Sequence, residues 1–284
     1  MTETFSSFTD SNLFSKKQWI FPDKFVYYMG FIIPFVLLIV FYDILRSIVN
    51  STNYNFSIII IILVYLFSHF VSDLITAIVH CFYVDNSFSN KIYEIKDDHL
   101  IINTTVGYAS CHHVFPSNWK DIPDSTLVIS TATIALIPFV LIFYFIKNPF
   151  VKLFWYFTFL LLMFAVFTHK YAHEKLHGRY VPPVIDFLIE HGIILSPKKH
   201  QKHHIENNYN WSFLNGVSDD FYNYIVKNVS NNFELHPIED VQNNALLYLK
   251  SKQIDDGIIN IQFVGDIEGK FKCKLDKNLF VKVT

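Results

Sequence analysis

Apolar and polar positions divide the chain into one long apolar block with polar flanks. Residues 25 to 175 hold most of the apolar side chains. Four runs within them are long enough to cross a hydrocarbon layer about 30 Å thick, which takes about 20 helical residues. They are Phe25 to Val49, Phe56 to Phe82, Leu127 to Ile146 and Phe150 to Ala172. Lys147-Asn148-Pro149 separates the last two, because proline ends a helix and the residue before it avoids helical geometry. The pattern predicts an all-α integral membrane protein with four transmembrane helices. An even number of crossings puts both termini on one side.

Beyond Pro182 the segments shorten, and Val184 to Ile194 reads as a helix lying against the membrane interface. From about Asn215 the chain turns polar. Short alternating runs such as Ile258 to Val264, set between glycines, predict a small polar tail with strand character. The expected organisation is an N-terminal segment over residues 1–24, a membrane-embedded domain over 25–215 and a polar C-terminal tail over 216–284.

Charge then orients the spans, since positive loops stay in the cytosol. One side collects Lys16, Lys17, Lys24, Lys91, Lys96, Lys120, Lys170, Lys175, Arg179, Lys198, Lys199 and Lys202, against Arg46, Lys147 and Lys152 on the other. Both termini are therefore expected in the cytosol. The polar, acid-containing first twenty residues resemble neither a secretory signal nor a transit peptide, which leaves insertion to the first span. A net charge of −2 and a pI of 6.7 give no basic surface for a phosphate backbone, so nucleic acid is not an expected partner. Cys81, Cys111 and Cys273 are scattered without metal-binding spacing.

Histidine supplies the candidate chemistry. Of thirteen, seven fall in three tight groups, and His80 joins them as an eighth. His169 and His173 stand at i and i+4, so a helix places them on one face; His200, His203 and His204 repeat this at i, i+3 and i+4. His112 and His113 form a pair, and His80 sits at the end of the second run. The span topology, derived without histidine, puts all eight at the cytosolic edge. His177 continues the series by one more i+4 step, either as part of the group or as a solvated face. Asp73 and His69 share a stripe of the second run with His80. An ionisable group at that depth is costly and usually functional, so Asp73 is expected to orient a ligand histidine or cap a polar pocket. His69 stands open between such a role and none, while His99, His191 and His236 read as ordinary interface residues.

Imidazole accepts Zn, Cu, Fe and Ni, and ligand type alone does not choose among them. A structural zinc site closes with four ligands, commonly including cysteine. Eight histidines beside a lipid-facing region point instead to two metal ions with open positions. Iron with oxygen can dehydrogenate an unactivated methylene, which side-chain acids and bases cannot. A hydroxylase on the same centre, a desaturase or hydroxylase of another phospholipid acyl chain, and an inactive or merely metal-binding membrane protein are the alternatives. A transporter would place its ligands nearer the midplane.

At these residues the sequence resembles a known family. SDLITAIVHCFYVD is similar to the "ADFxSGLVHWxxD" span of the Kua lipid desaturases, the plasmanylethanolamine desaturase family. CHHVFP resembles its "HHxxP", THKYAH its "HKWxH" and ILSPKKHQKHH its "LPxxHxxHH", and NGVSD is similar to the segment that follows. The resemblance covers roughly residues 60 to 220. It implies a multi-pass enzyme of the endoplasmic reticulum membrane that forms the vinyl ether double bond of plasmalogens from a phospholipid, with two iron ions and electrons from cytochrome b5 and its reductase. It implies metal roles for His80, His112, His113, His169, His173, His200, His203 and His204, with Asp73, Asp85 and His177 as candidates for the surrounding shell. Cys81 stands where the family has Trp, and the "TWG" that follows the family's Asp is absent after Asp85.

Overall fold

The computed structural model describes residues 23–51, 54–85, 93–96, 99–103, 123–176, 178–206, 209–229, 258–264 and 269–274. Among them, four helices are long and apolar enough to cross a membrane: Lys24–Asn50, Ser57–Phe82, Asp124–Phe145 and Pro149–Leu176. These are the four expected spans, and the protein is an α-helical integral membrane protein in which His80, His169, His173, His200, His203 and His204 gather at one end.

The first span is helix α1 (Asp23–Ser51) and the second is α2 (Tyr54–Val79), which runs on into a π-helical turn over His80–Asp85. Single π turns inside α-helices are frequent at functional sites. The third span is α3 (Asp124–Phe145). The fourth starts as α4 (Pro149–Met163), capped by Asn148, whose Oδ1 accepts from Phe150 N at 2.9 Å, with Pro149 in the first turn where no N–H is needed. It breaks for one residue at Phe164 and resumes as α5 (Ala165–Leu176), where the expectation was a single helix. Three shorter helices follow: α6 (Pro183–Glu190), α7 (Pro197–Glu206) and α8 (Asp219–Val229).

The spans are built inside out relative to a water-soluble core. Large apolar residues such as Phe31, Leu38, Ile62, Ile137 and Phe145 face outward. Ile33, Leu37, Ile44, Ile48, Phe139, Leu153 and Phe159 pack between α1, α3 and α4. Lipid is as apolar as leucine, so helix association there leans on close packing and on small polar residues that hydrogen-bond between helices. Ser68 does so: its Oγ donates to the Val64 carbonyl at 2.7 Å and reaches the Phe154 carbonyl of α4 at 3.0 Å. One turn on, Ser72 Oγ bonds the Ser68 carbonyl at 2.6 Å and approaches that of Thr158 at 3.4 Å.

The strand expected in the tail is present and has a partner the sequence did not indicate. Strands β1 (Tyr93–Lys96) and β2 (His99–Asn103) come from the connection between spans two and three, and β3 (Ile258–Val264) and β4 (Gly269–Lys274) from the tail. They form one sheet in the order β1-β2-β3-β4, antiparallel except for the β2–β3 pair. The tail thus joins the connection that follows His80.

Candidate metal centre

Helices α5 and α7 each turn one polar face toward the other. His169 and His173 come from α5, His200 and His204 from α7, and all four rings are buried with no more than 2 % of their surface exposed. Their Nε2 atoms converge. His200 Nε2 lies 2.7 Å from that of His169, 2.9 Å from that of His173 and 2.9 Å from that of His204, and the His169–His173 pair is 3.1 Å apart.

These separations fit a shared cation. A neutral imidazole nitrogen either donates or accepts, so three nitrogens in mutual contact, as in His169, His173 and His200, cannot all form complementary pairs. At least one pair meets like with like. A metal ion takes all the lone pairs at once, and two nitrogens about 2.1 Å from one ion at right angles stand about 3.0 Å from each other. The four ligand atoms lie within 4.8 Å of one another and could hold a metal.

His80 and His203 lie beside this quartet with ring centroids 4.6 Å apart. His80 is 5.5 Å from His169, and His203 is 5.7 Å from His204. Both rings present Nδ1 to a backbone carbonyl: His80 to Trp211 O at 2.7 Å and His203 to Tyr209 O at 2.9 Å. A carbonyl only accepts, so Nδ1 carries the proton in each and the lone pair sits on Nε2. Donation from one ring nitrogen to a carbonyl is the usual way in which a ligating histidine is oriented. Aromatic rings close the space around them. Phe213 stacks on His169 at 5.5 Å and meets His80 edge-on at 5.3 Å, and Trp211 packs against His203 at 5.0 Å.

The segment that supplies Tyr209, Trp211 and Phe213 is not helical, although it lies against α2 at the level of Asp73. Asp73 is seven residues before His80, or about 10 Å along the helix. Backbone at that depth must find protein partners, because hydrocarbon offers none. Asp73 is the partner of three N–H groups, those of Asn215, Gly216 and Ser218. Its Oδ1 accepts from Asn215 N at 2.9 Å and Gly216 N at 3.0 Å, and also from Ser212 Oγ; its Oδ2 accepts from Ser218 N at 2.8 Å and Ser218 Oγ at 2.7 Å. Carbonyls are matched as well: Thr168 Oγ1 donates to Phe213 O at 2.7 Å, Leu195 N to Leu214 O at 3.0 Å and Lys199 Nζ to Gly216 O at 3.0 Å. Asp219 Oδ1 accepts from Ser212 N at 2.9 Å. Burial pushes the Asp219 carboxyl up to about 6, against the downward pull of that N–H. Asp73 therefore caps a polar pocket, its carboxylate bonded to Ser212, Asn215, Gly216 and Ser218 of this segment. His69 shares the pocket, with its Nε2 accepting from the Asn215 amide.

His112, His113 and His177 lie outside the described residues, and Asp85 closes the π-helical turn. His191, expected to be an ordinary interface residue, is exposed, with Nδ1 on the Phe187 carbonyl of its own helix at 2.8 Å. Among the cations near the histidine end, Arg179 pairs with Glu174 at 3.0 Å and Lys199 Nζ donates to the Gly216 carbonyl. Sequence reasoning missed Asp124. At the start of α3, its Oδ1 accepts from Lys170 Nζ at 2.9 Å and its Oδ2 from Tyr171 OH at 2.6 Å, which ties α5 to span three between the two histidines of that helix.

Fold and site together define a multi-pass helical membrane protein with a buried four-histidine group at one end of its spans. Its lipid desaturase domain covers residues 69–230, and the chain belongs to that family. No curated protein and no solved structure matches it. Family and geometry agree on a metal-dependent lipid desaturase, an oxidoreductase with a lipid substrate.

Proposed function

We propose that the protein is a diiron, oxygen-dependent desaturase that forms the vinyl ether double bond of plasmalogens from plasmanylethanolamine. The observation that carries this reading is the convergence of four buried imidazoles at the end of the spans in a lipid desaturase domain. His169, His173, His200 and His204 would hold one ion. His80 and His203, whose lone pairs are both on Nε2, would hold the second with His112 and His113 from the connection between β2 and α3. When bound, the reduced iron pair would supply the means to use O2, two electrons and two protons to remove two hydrogens from adjacent carbons, with release of two waters.

The protein's own part is to hold and to exclude. Trp211 and Phe213 pack against the rings and keep water from them. The outward apolar faces of α2 and α4 let an alkyl chain approach from the bilayer. The excess of Lys and Arg beside the histidine end supports a cytosolic placement of that end and of both termini. Cytochrome b5 and its reductase, in the endoplasmic reticulum membrane, are the proposed electron source.

The test is a lipid analysis of cells lacking plasmanylethanolamine desaturase that express either the intact chain or a His203→Ala, His204→Ala variant. Vinyl ether phospholipids are expected with the intact chain alone. If they stay absent although the purified protein carries iron, the substrate is another lipid. A purified chain that takes up no iron would overturn the enzyme reading.

A further inference from the structure

The site described above is oriented by a segment with no ligand in it. Residues 209–218 form a strap that leaves α7, enters between α2 and α5, and meets the histidines with backbone rather than side-chain polar groups. Its two carbonyls, Tyr209 O and Trp211 O, are the partners of His203 and His80. The strap has no helix or sheet of its own to hold it at that depth. Five hydrogen bonds converge on the Asp73 carboxylate, from Ser212, Asn215, Gly216 and twice from Ser218. Thr76, one turn toward His80, adds its Oγ1 as acceptor for Phe213 N at 3.3 Å.

We propose that Asp73 is a positioning residue for the second metal ion: it anchors the strap whose Tyr209 and Trp211 carbonyls fix the tautomers of His203 and His80. The proposal rests on the two-ion reading given above. Asp73 touches no metal under it. It acts from about 10 Å below His80 through the strap backbone.

Chemistry distinguishes a carboxylate from every near-isostere here. All five groups facing Asp73 donate, so both of its oxygens must accept. Asparagine has one oxygen and one NH2, and in either orientation the NH2 meets at least one buried N–H donor. The strap must then shift to release that clash, and its two carbonyls shift with it. The quartet of His169, His173, His200 and His204 does not depend on those carbonyls.

That difference makes the test. The purified full-length chain in detergent is titrated with Co(II) under anaerobic conditions, and both ions are followed by visible absorption. Wild type is expected to take up two ions. Asp73→Asn is expected to keep one at wild-type affinity and to bind the other about 10–100-fold more weakly, the usual effect of losing a partner outside the ligand shell. Ser218→Ala removes one of the five donors, the Ser218 hydroxyl, and keeps the backbone N–H of that residue and the Asp73 charge. It serves if Asp73→Asn does not fold, with weakening confined to the second ion expected again. Unchanged affinity for both ions, or equal weakening of both, would overturn the positioning role while leaving the two-ion reading in place. A wild-type chain that takes up a single ion would overturn that reading and this proposal together.

Discussion

Gly216 sits where the strap turns under Asp73, and its replacement by alanine has a cost that can be worked from the structure. Its φ of +79° lies in the left-handed region, which costs a residue with a Cβ about 1–2 kcal/mol. A Cβ there would also stand 2.7 Å from Asp219 Oδ2 and 3.3 Å from Lys199 Cδ. The lysine stem can move, but the short Asp219 side chain is held by Ser212 N at 2.9 Å. Displacing it forfeits a hydrogen bond to a buried carboxylate, about 1–3 kcal/mol. Gly216→Ala should therefore cost about 3 kcal/mol, or a fall in Tm on the order of 10 °C. Gly192→Ala is the internal control: φ is +66° there and a Cβ would meet nothing within 4 Å, so only the backbone part is felt. Thermal unfolding of both variants in detergent measures the difference. Equal shifts for the two would refute the claim that Gly216 is packed against Asp219, and with it the close fit of the strap.

Three further outcomes follow from the site. His200 is the hub of the quartet, with contacts to three other Nε2 atoms, so His200→Ala should lower bound iron, measured by elemental analysis, and leave the spans folded. Stripping metal with a chelator should lower the Tm of wild type, since an ion bound at a thousand times its Kd stabilises by about 4 kcal/mol, and should leave that of His200→Ala much less changed. Asp124→Asn should cost about 1–2 kcal/mol in thermal unfolding, because Lys170 is 9 % exposed and loses the charge of the carboxylate it bonds, while Asp124 itself is 41 % exposed and weakens the pair through solvent. An unchanged Tm for that variant would show that the Lys170–Tyr171 clamp does not hold α5.

How much of this was legible in the sequence varies with the physical origin of each feature. Run length alone gave the spans, because a hydrocarbon layer demands about 20 apolar residues whatever their order. Helical spacing gave the His169–His173 and His200–His204 pairs, and the cost of an acid in a span marked Asp73. Phe164 was not legible as a break, since it carries neither proline nor glycine and interrupts the helix without a local signal. The sheet was half legible. Alternation over Ile258 to Val264 indicated a strand, but its pairing with β2 spans more than 150 residues of chain, and nothing in either segment names the other. The roles of Tyr209 and Trp211 were hidden for a different reason: each acts through its backbone carbonyl, which every residue possesses. The alternation Tyr209, Trp211, Phe213 gives no sign of it either, because residues 211–216 are buried on both sides and Tyr209 is exposed.

The polar stripe of span two explains why the site sits where it does. Ser68, His69, Ser72, Asp73, Thr76 and His80 lower the hydrophobicity of a helix that otherwise faces lipid, and each needs a partner because the bilayer has none to offer. The two serines find theirs in α4, at the Phe154 and Thr158 carbonyls. From His69 toward His80 the partners change to the strap: Asn215, the N–H groups around Gly216, Phe213 N and the Trp211 carbonyl in turn. A purely apolar span two would pack as well against lipid but would leave the strap's backbone unsatisfied, and the strap would be expelled toward water. His80 and His203 would then lose the two carbonyls that fix their tautomers. The stripe that makes this span a poorer membrane helix is thus what draws irregular backbone in beside the histidines, and the depth of Asp73 sets how far it enters.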